Sequence, residues 1–412
     1  MDYFEYRNAE LWAEGIRVKE LAERFGTPLY VYSKKTLERH YKAFDTAQDG
    51  LAHLTCFSVK ANSNVNLLRL LGSLGAGVDI VSGGELHRAL AAGIDPRKIV
   101  FSGVGKQGHE IREALAADIL MFNVESIQEL ELIGQVALTM NTVARISLRI
   151  NPDVDPKTHP YISTGLKKNK FGLDILEATG AYLMAQQNPS LAPVGMDCHI
   201  GSQLTQIGPF TEALEKLLGF VDRLQATGID IRYLDLGGGL GINYNEEEPP
   251  LPAELGRAIA DTIGGRKLTV ILEPGRAIAG NAGILVTRVL YTKKNQAKNF
   301  VIVDAAMNDL VRPALYGAYH RIGEVTPKGR EAVKVDVVGP ICESSDFLAQ
   351  DRLLPATEPG EILAIFSAGA YGFTMSSQYN SRPRAAEVIV DGEQVTLARR
   401  RETYDDLIAL EI

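Results

Sequence analysis

Between residues 50 and 275, short apolar β-rich runs alternate with stretches of helical period, and the unit recurs eight times. The runs are Leu54–Lys60, Gly77–Val81, Lys98–Ser102, Asp118–Asn123, Val143–Asn151, Val194–Gly201, Arg232–Leu236 and Leu268–Glu273. Amphipathic segments such as Asn66-Leu-Leu-Arg-Leu-Leu and Glu85-Leu-His-Arg-Ala-Leu separate them. Eight β-then-α units over this length predict a (β/α)8, TIM-like barrel, where a doubly wound sheet usually has fewer strands. After Ala282 the pattern changes to strands and turns: Ile284–Tyr291, Asn299–Val303, Ala332–Val338, Glu361–Phe366 and Ala386–Val390, with Asp391-Gly392 turning the chain into Gln394–Leu397. The early strand Pro28–Tyr32 is not part of a barrel unit and is assigned to this second region. The predicted organisation is an α/β barrel over residues 34–282 and an all-β domain, a β-sandwich or β-barrel, over residues 1–33 and 283–412.

Polar residues fall at one end of the eight runs. Lys60, Asp79, Ser102, Asn123, Asn151, His199, Gly237–Gly239 and Glu273 all lie at or just past a carboxyl end. In a barrel those ends share one face, where the active sites of this fold are built. This placement changes the reading of Lys60. At a strand end a lysine is ordinarily a charge reaching solvent, but in a barrel mouth it can be desolvated enough to lose its proton and form an imine.

Composition bounds the rest. A chain of 412 residues with 45% hydrophobic and 23% charged residues suits a two-domain globular enzyme. The net charge of -8 and the lack of an extended basic patch exclude a general nucleic-acid binder. The short tract Lys167-Lys168-Asn169-Lys170 reads as a solvated loop. The amino terminus has no basic-then-apolar leader and no run is long enough to span a bilayer, so a cytoplasmic protein is expected. Three cysteines make neither a disulfide framework nor a metal spacing; no metal is expected. Cys56 reads as barrel packing, and Cys198 faces away from His199 by strand alternation.

Two glycine turns mark an anion site. Gly237-Gly238-Gly239 follows the seventh run, and Pro274-Gly275-Arg276 follows the eighth with a cation. Bare backbone N–H groups there can approach a phosphate, in the usual place for this fold. A dinucleotide fingerprint is excluded by spacing. Glu273 ends a buried strand, where a carboxylate needs a cationic partner; a protonated pyridine ring would serve, as would an ion pair to Arg276 or another arginine.

Six motifs in order, Phe57-Ser-Val-Lys-Ala-Asn62, His199-Ile-Gly-Ser202, Gly237-Gly-Gly239, Glu273-Pro-Gly-Arg276, Cys342-Glu-Ser-Ser-Asp346 and Gly369-Ala-Tyr-Gly372, resemble those of the fold-type III pyridoxal-phosphate-dependent decarboxylases over nearly the whole chain. The branch they most resemble is diaminopimelate decarboxylase. The resemblance implies that Lys60 holds pyridoxal 5'-phosphate as an imine, His199 stacks on the ring, and Glu273 pairs with the pyridine nitrogen. Ser202, Gly238, Gly239, Pro274, Gly275 and Arg276 would surround the phosphate, with Asp79 near the cofactor and Tyr371 reaching phosphate and substrate. Cys342 would protonate the carbanion from the neighbouring protomer of a homodimer, so Lys60, His199 and Cys342 form the catalytic set. Ser345 departs from the glycine common in relatives and bears on that loop's backbone.

The substrate implied is meso-2,6-diaminopimelate, converted to L-lysine and carbon dioxide in the last step of lysine biosynthesis. A distal amino-acid head group needs a cation for its carboxylate and an anion for its ammonium. Arg276 and Arg312 supply the first, Tyr316 adds a hydrogen bond, and Glu343 supplies the second. The rival readings are a decarboxylase of ornithine, arginine or a carboxylated polyamine, an alanine racemase-like enzyme, against which Glu273 argues, and a non-catalytic cofactor-binding homologue.

Overall fold

The computed structural model describes residues 2–154 and 170–412. Lys167, Lys168 and Asn169 of the basic tract lie outside the described residues. Contacts divide the chain into two units: residues 41–242 with 248–277, and residues 1–40 with 243–247 and 278–412. The crossings therefore fall at 40/41 and 277/278 where the pattern suggested 34 and 282, and five residues after the seventh barrel strand belong to the other unit.

In the first unit eight parallel strands close a barrel in chain order: His53–Ser58, Gly77–Ile80, Ile99–Phe101, Met121–Val124, Ala144–Arg149, Leu191–Asp197, Tyr233–Asp235 and Thr269–Leu272, the eighth pairing with the first. Helices follow the strands, and polar residues start several of them. The Asn64 side chain accepts from the Asn66 amide, and Ser82, Ser126 and Asp174 accept from amides three residues on. Each satisfies a backbone donor that the first helical turn leaves open. Cys56, Val100, Met121, Val194 and Ile271 pack into one buried cluster, so Cys56 is core packing as expected. Cys198 is buried as well. The strand carrying Lys60 ends at Ser58, and Val59–Ala61 form a short 3-10 turn that carries the lysine out of the sheet.

The second unit holds a nine-stranded mixed sheet. Leu29–Ser33 lies within it, antiparallel to Gly283–Lys294 and parallel to Ala386–Asp391, which is where the pattern assigned it. The hairpin through Asp391 and Gly392 pairs Ala386–Asp391 with Gln394–Arg399. Phe347–Pro355 is a further strand the pattern did not suggest. It lies at the end of the strand order and pairs with Ala332–Val338 alone, so its middle residues, Gln350 to Leu353, need not alternate between apolar and polar. Ile322–Glu324 and a three-stranded sheet over Phe4–Arg7, Glu10–Ala13 and Ile16–Arg17 also escaped the pattern, each being four residues or shorter. Among the described residues no helix is long and apolar enough to cross a membrane.

Candidate active site

The carboxyl ends of the barrel strands gather a buried charged group. Lys60 Nζ lies 2.6 Å from Asp79 Oδ2, and the Ser58 hydroxyl lies 2.9 Å from the same carboxylate oxygen. Ser58 is also 3.0 Å from the Glu273 carbonyl oxygen, tying the first strand end to the eighth. Asp79 is fully buried. Burial alone would raise its pKa, but the Lys60 ammonium and the nearby His199, with hydrogen bonds from Lys60 and Ser58, hold it below the usual carboxylate range. The lysine is thereby fixed while its side chain remains about one third exposed at 36%.

His199 Nε2 lies 2.7 Å from Glu273 Oε2 and 3.4 Å from Asp197 Oδ1. Burial pulls the imidazole pKa down, partly against the pull of Asp197. Gly237 packs behind the ring: it has φ +64°, and a Cβ there would lie 2.7 Å from the imidazole. Arg276 does not pair with Glu273. Its guanidinium turns to Ser202, with Nη2 3.1 Å and Nε 3.3 Å from the hydroxyl oxygen, which joins the sixth and eighth strand ends at the expected anion site. Gly238 and Gly239 cannot carry side chains without displacing backbone, since a Cβ would fall 2.4 Å from the Glu273 carbonyl and 2.7 Å from that of Gly201.

Two further carboxyls complete the group, and motif reading passed over them. Asp197 and Asp235 are both fully buried. Asp235 accepts from the Gly237 amide at 2.9 Å and from Asn123 Nδ2 at 3.0 Å. Burial pushes Asp197 up to about 7, and burial with the neighbouring Glu273 pushes Asp235 well up. The signal for both was available: each lies two positions before His199 or Gly237, and strand alternation puts such residues on one face. Glu273 is likewise raised, by burial first and then by Asp79 and Asp197. Neither of its oxygens has a hydrogen-bond donor in good geometry among the described residues, despite the short approach of His199.

That donor set tests the cofactor. A buried carboxyl lacking a well-placed donor, beside an imidazole, a lysine and an anion-binding pair of glycine turns, fits a ring that carries a protonated nitrogen, a carbonyl carbon and a phosphate. Asp197, His199 and Asp235 also bring ligand atoms within 4.8 Å of one another, but they are part of this same group.

The second unit carries the remaining expected residues. Arg312 and Tyr316 begin and end a short helix, Arg312–Tyr316, closed by Gly317 at φ +60°. Arg312 is buried. Cys342 is exposed, with its amide donating to Asn380 Oδ1 at 2.9 Å. Glu343 Oε2 accepts from the Tyr379 hydroxyl at 2.6 Å, and with a close Ser345 hydroxyl this holds its pKa below the usual value. Ser345 is not among the residues of positive φ, so the loop needs no glycine there. Asp346 organises the same loop by accepting from the Met307 and Ile341 amides, each at 2.7 Å. Tyr371 has φ +54°, a conformation costly for a non-glycine residue.

Comparison with known proteins agrees with this geometry. The pyridoxal-binding domain of the pyridoxal-dependent decarboxylases matches residues 34–280. The diaminopimelate decarboxylase of Pseudomonas aeruginosa is 58% identical over 409 residues, covering 99% of this chain and 98% of that protein. The chain belongs to the diaminopimelate decarboxylase family. The crystal structure of diaminopimelate decarboxylase from Helicobacter pylori complexed with L-lysine superposes with a TM-score of 0.93 at 47% identity, covering 95% of this chain and 98% of that one. The crystal structure of diaminopimelate decarboxylase from M. jannaschii in co-complex with L-lysine gives a TM-score of 0.94 at 43% identity, covering 100% of this chain and 98% of that one. As in other diaminopimelate decarboxylases, the architecture is a TIM-like barrel with a mixed β-sheet domain, and the barrel is the pyridoxal-binding part.

Proposed function

We propose that this chain removes the carboxylate from the D-configured centre of meso-2,6-diaminopimelate, giving L-lysine and carbon dioxide, as a cytoplasmic pyridoxal-phosphate-dependent carboxy-lyase that completes lysine biosynthesis. The observation that carries the reading is the buried set Lys60, Asp79, His199 and Glu273 at the barrel's strand ends, in a chain 58% identical to a diaminopimelate decarboxylase across its length.

When bound, pyridoxal phosphate supplies the electron sink that makes loss of carbon dioxide feasible. Lys60 would hold it covalently through Nζ, and Asp79, 2.6 Å from that nitrogen, would position it. His199 would lie against the ring. Glu273 would keep a proton on the ring nitrogen, exchanging an unfavourable buried carboxyl for a charge pair. Ser202, Gly238, Gly239, Pro274, Gly275 and Arg276 would take the phosphate, with Tyr371. Arg312, with Tyr316 and Arg276, binds the distal carboxylate, and Glu343 the distal ammonium. This clamp orients the scissile bond, an effect on the transition state. Cys342 Sγ delivers the proton that replaces carbon dioxide. Its exposed position suits a residue that serves the site of a partner protomer, and we place the active sites across a homodimer interface.

Steady-state assays with a panel of amino acids test the reading. Diaminopimelate is expected to give the highest kcat/KM, and faster turnover of ornithine or arginine overturns the substrate assignment. Borohydride treatment of the holoenzyme is expected to fix the cofactor to Lys60 and to leave Lys60→Ala unlabelled.

A further inference from the structure

We propose that His320 is a positioning residue for Arg312: a neutral hydrogen-bond acceptor that fixes the guanidinium for the substrate's distal carboxylate. The inference rests on the role given to Arg312 above.

His320 is fully buried, and its two ring nitrogens face partners of opposite kind. Nδ1 lies 2.8 Å from the Phe366 carbonyl oxygen, which only accepts, so Nδ1 carries the proton. Nε2 lies 2.8 Å from Arg312 Nη1, which only donates, so Nε2 presents its lone pair. One neutral tautomer satisfies both contacts. A proton on Nε2 would set N–H against N–H beside a cation. The backbone of His320 is held in turn, because Arg352 Nη1 donates to its carbonyl oxygen at 2.9 Å.

Tyr244 supplies the second wall. The Arg312 guanidinium carbon lies 4.7 Å from the centre of its ring, and that ring meets the His320 imidazole edge-on, with centroids 5.4 Å apart and planes at 80°. Neither contact brings an anion, so neither neutralises the guanidinium. They restrain a side chain that would otherwise lose more rotamer freedom on binding a ligand. The four-residue spacing puts Tyr316 on the same side of the short helix as Arg312. Histidine at 320, eight residues after Arg312, has no motif signal; only the fold brings it to the guanidinium.

The test uses holoenzyme and two probes that differ by one carboxylate, L-lysine and cadaverine, as competitive inhibitors of diaminopimelate turnover. His320→Leu is expected to raise the KM for diaminopimelate and the inhibition constant of L-lysine by about tenfold, the scale of a hydrogen bond to a charged group. It should leave kcat and the inhibition constant of cadaverine within about twofold. His320→Gln, whose amide oxygen can accept from Arg312, is expected to recover most of the loss. Should the leucine variant not fold, His320→Asn against His320→Gln makes the same comparison, the shorter amide failing to reach. If Arg312→Ala weakens L-lysine but His320→Leu does not, or if His320→Leu weakens both probes equally, the inference falls and the role of Arg312 stands. If Arg312→Ala leaves L-lysine binding unchanged, the role of Arg312 is wrong.

Discussion

Glu273 and Asp309 show how burial acts on a carboxyl in two settings. Glu273 is raised by burial and by its acidic neighbours, and in the proposed reaction its charge is stabilised only by a cationic ring. Glu273→Gln, isosteric but uncharged, is therefore expected to lower kcat by about a hundredfold or more, read by steady-state turnover. Asp309 lies outside that site, accepts from the Ala306 amide at 3.0 Å, and is pushed by burial up to about 7. Its folded form binds a proton that the unfolded form gives up near pH 4, so folding takes up a proton between about pH 4 and 7. Stability from this group is full below that window and is lost as the pH rises through it. Asp309→Asn keeps the acceptor oxygen without the charge, and is expected to raise the thermal midpoint more at pH 8 than at pH 5, measured by calorimetry. Motif reading found Lys60, His199 and Glu273, since each ends a run with chemistry attached. It passed over Asp197 and Asp235 because an acid closing a strand two positions before the motif residue carries no motif of its own, only a face.

The barrel's loops are held by polar groups placed between elements. Lys106 is buried, with Nζ 2.6 Å from Glu129 Oε1 and within 2.8 Å of the carbonyl oxygens of Gly103 and Asn123. It pins the loop after the third strand to the fourth strand and to the helix Ile127–Thr139. Lys106→Met strands a buried carboxyl and is expected to cost roughly 3–5 kcal/mol in urea denaturation. Lys106→Met combined with Glu129→Leu should recover most of it, because the unpaired charge is gone. Gly238→Ala is expected to weaken cofactor retention at least about tenfold, since its Cβ would meet the Glu273 carbonyl and move the turn; cofactor titration by absorbance reads it. The eight barrel strands were legible because burial on both faces keeps them apolar. Phe347–Pro355 was not, being an edge strand whose middle residues Gln350 and Asp351 are exposed and break the apolar run.

For the assembled enzyme, the decisive prediction concerns subunits. If Cys342 serves the site built around Lys60 of the partner subunit, then a Lys60→Ala protomer and a Cys342→Ala protomer together make one intact site per hybrid dimer. Random exchange places half the protomers' pairs in hybrids, so activity should return to about a quarter of wild type. No return after verified exchange would place Cys342 and Lys60 of one site on the same chain.

Local chemistry settled a great deal before any contact was known. Periodicity named eight strands, turn residues named the glycine loops, and the order of six motifs named the family, because each signal is written in neighbouring residues. What folding alone could settle was which groups meet at a distance along the chain. Asp79 reaches Lys60 across 19 residues and Glu273 reaches His199 across 74, and the sequence gives such pairs only a shared end of a sheet. The same holds for Arg276, which turns to Ser202 and leaves Glu273 for another cation. Partner choice among buried charges depends on distance and desolvation, and both exist only once the barrel has closed.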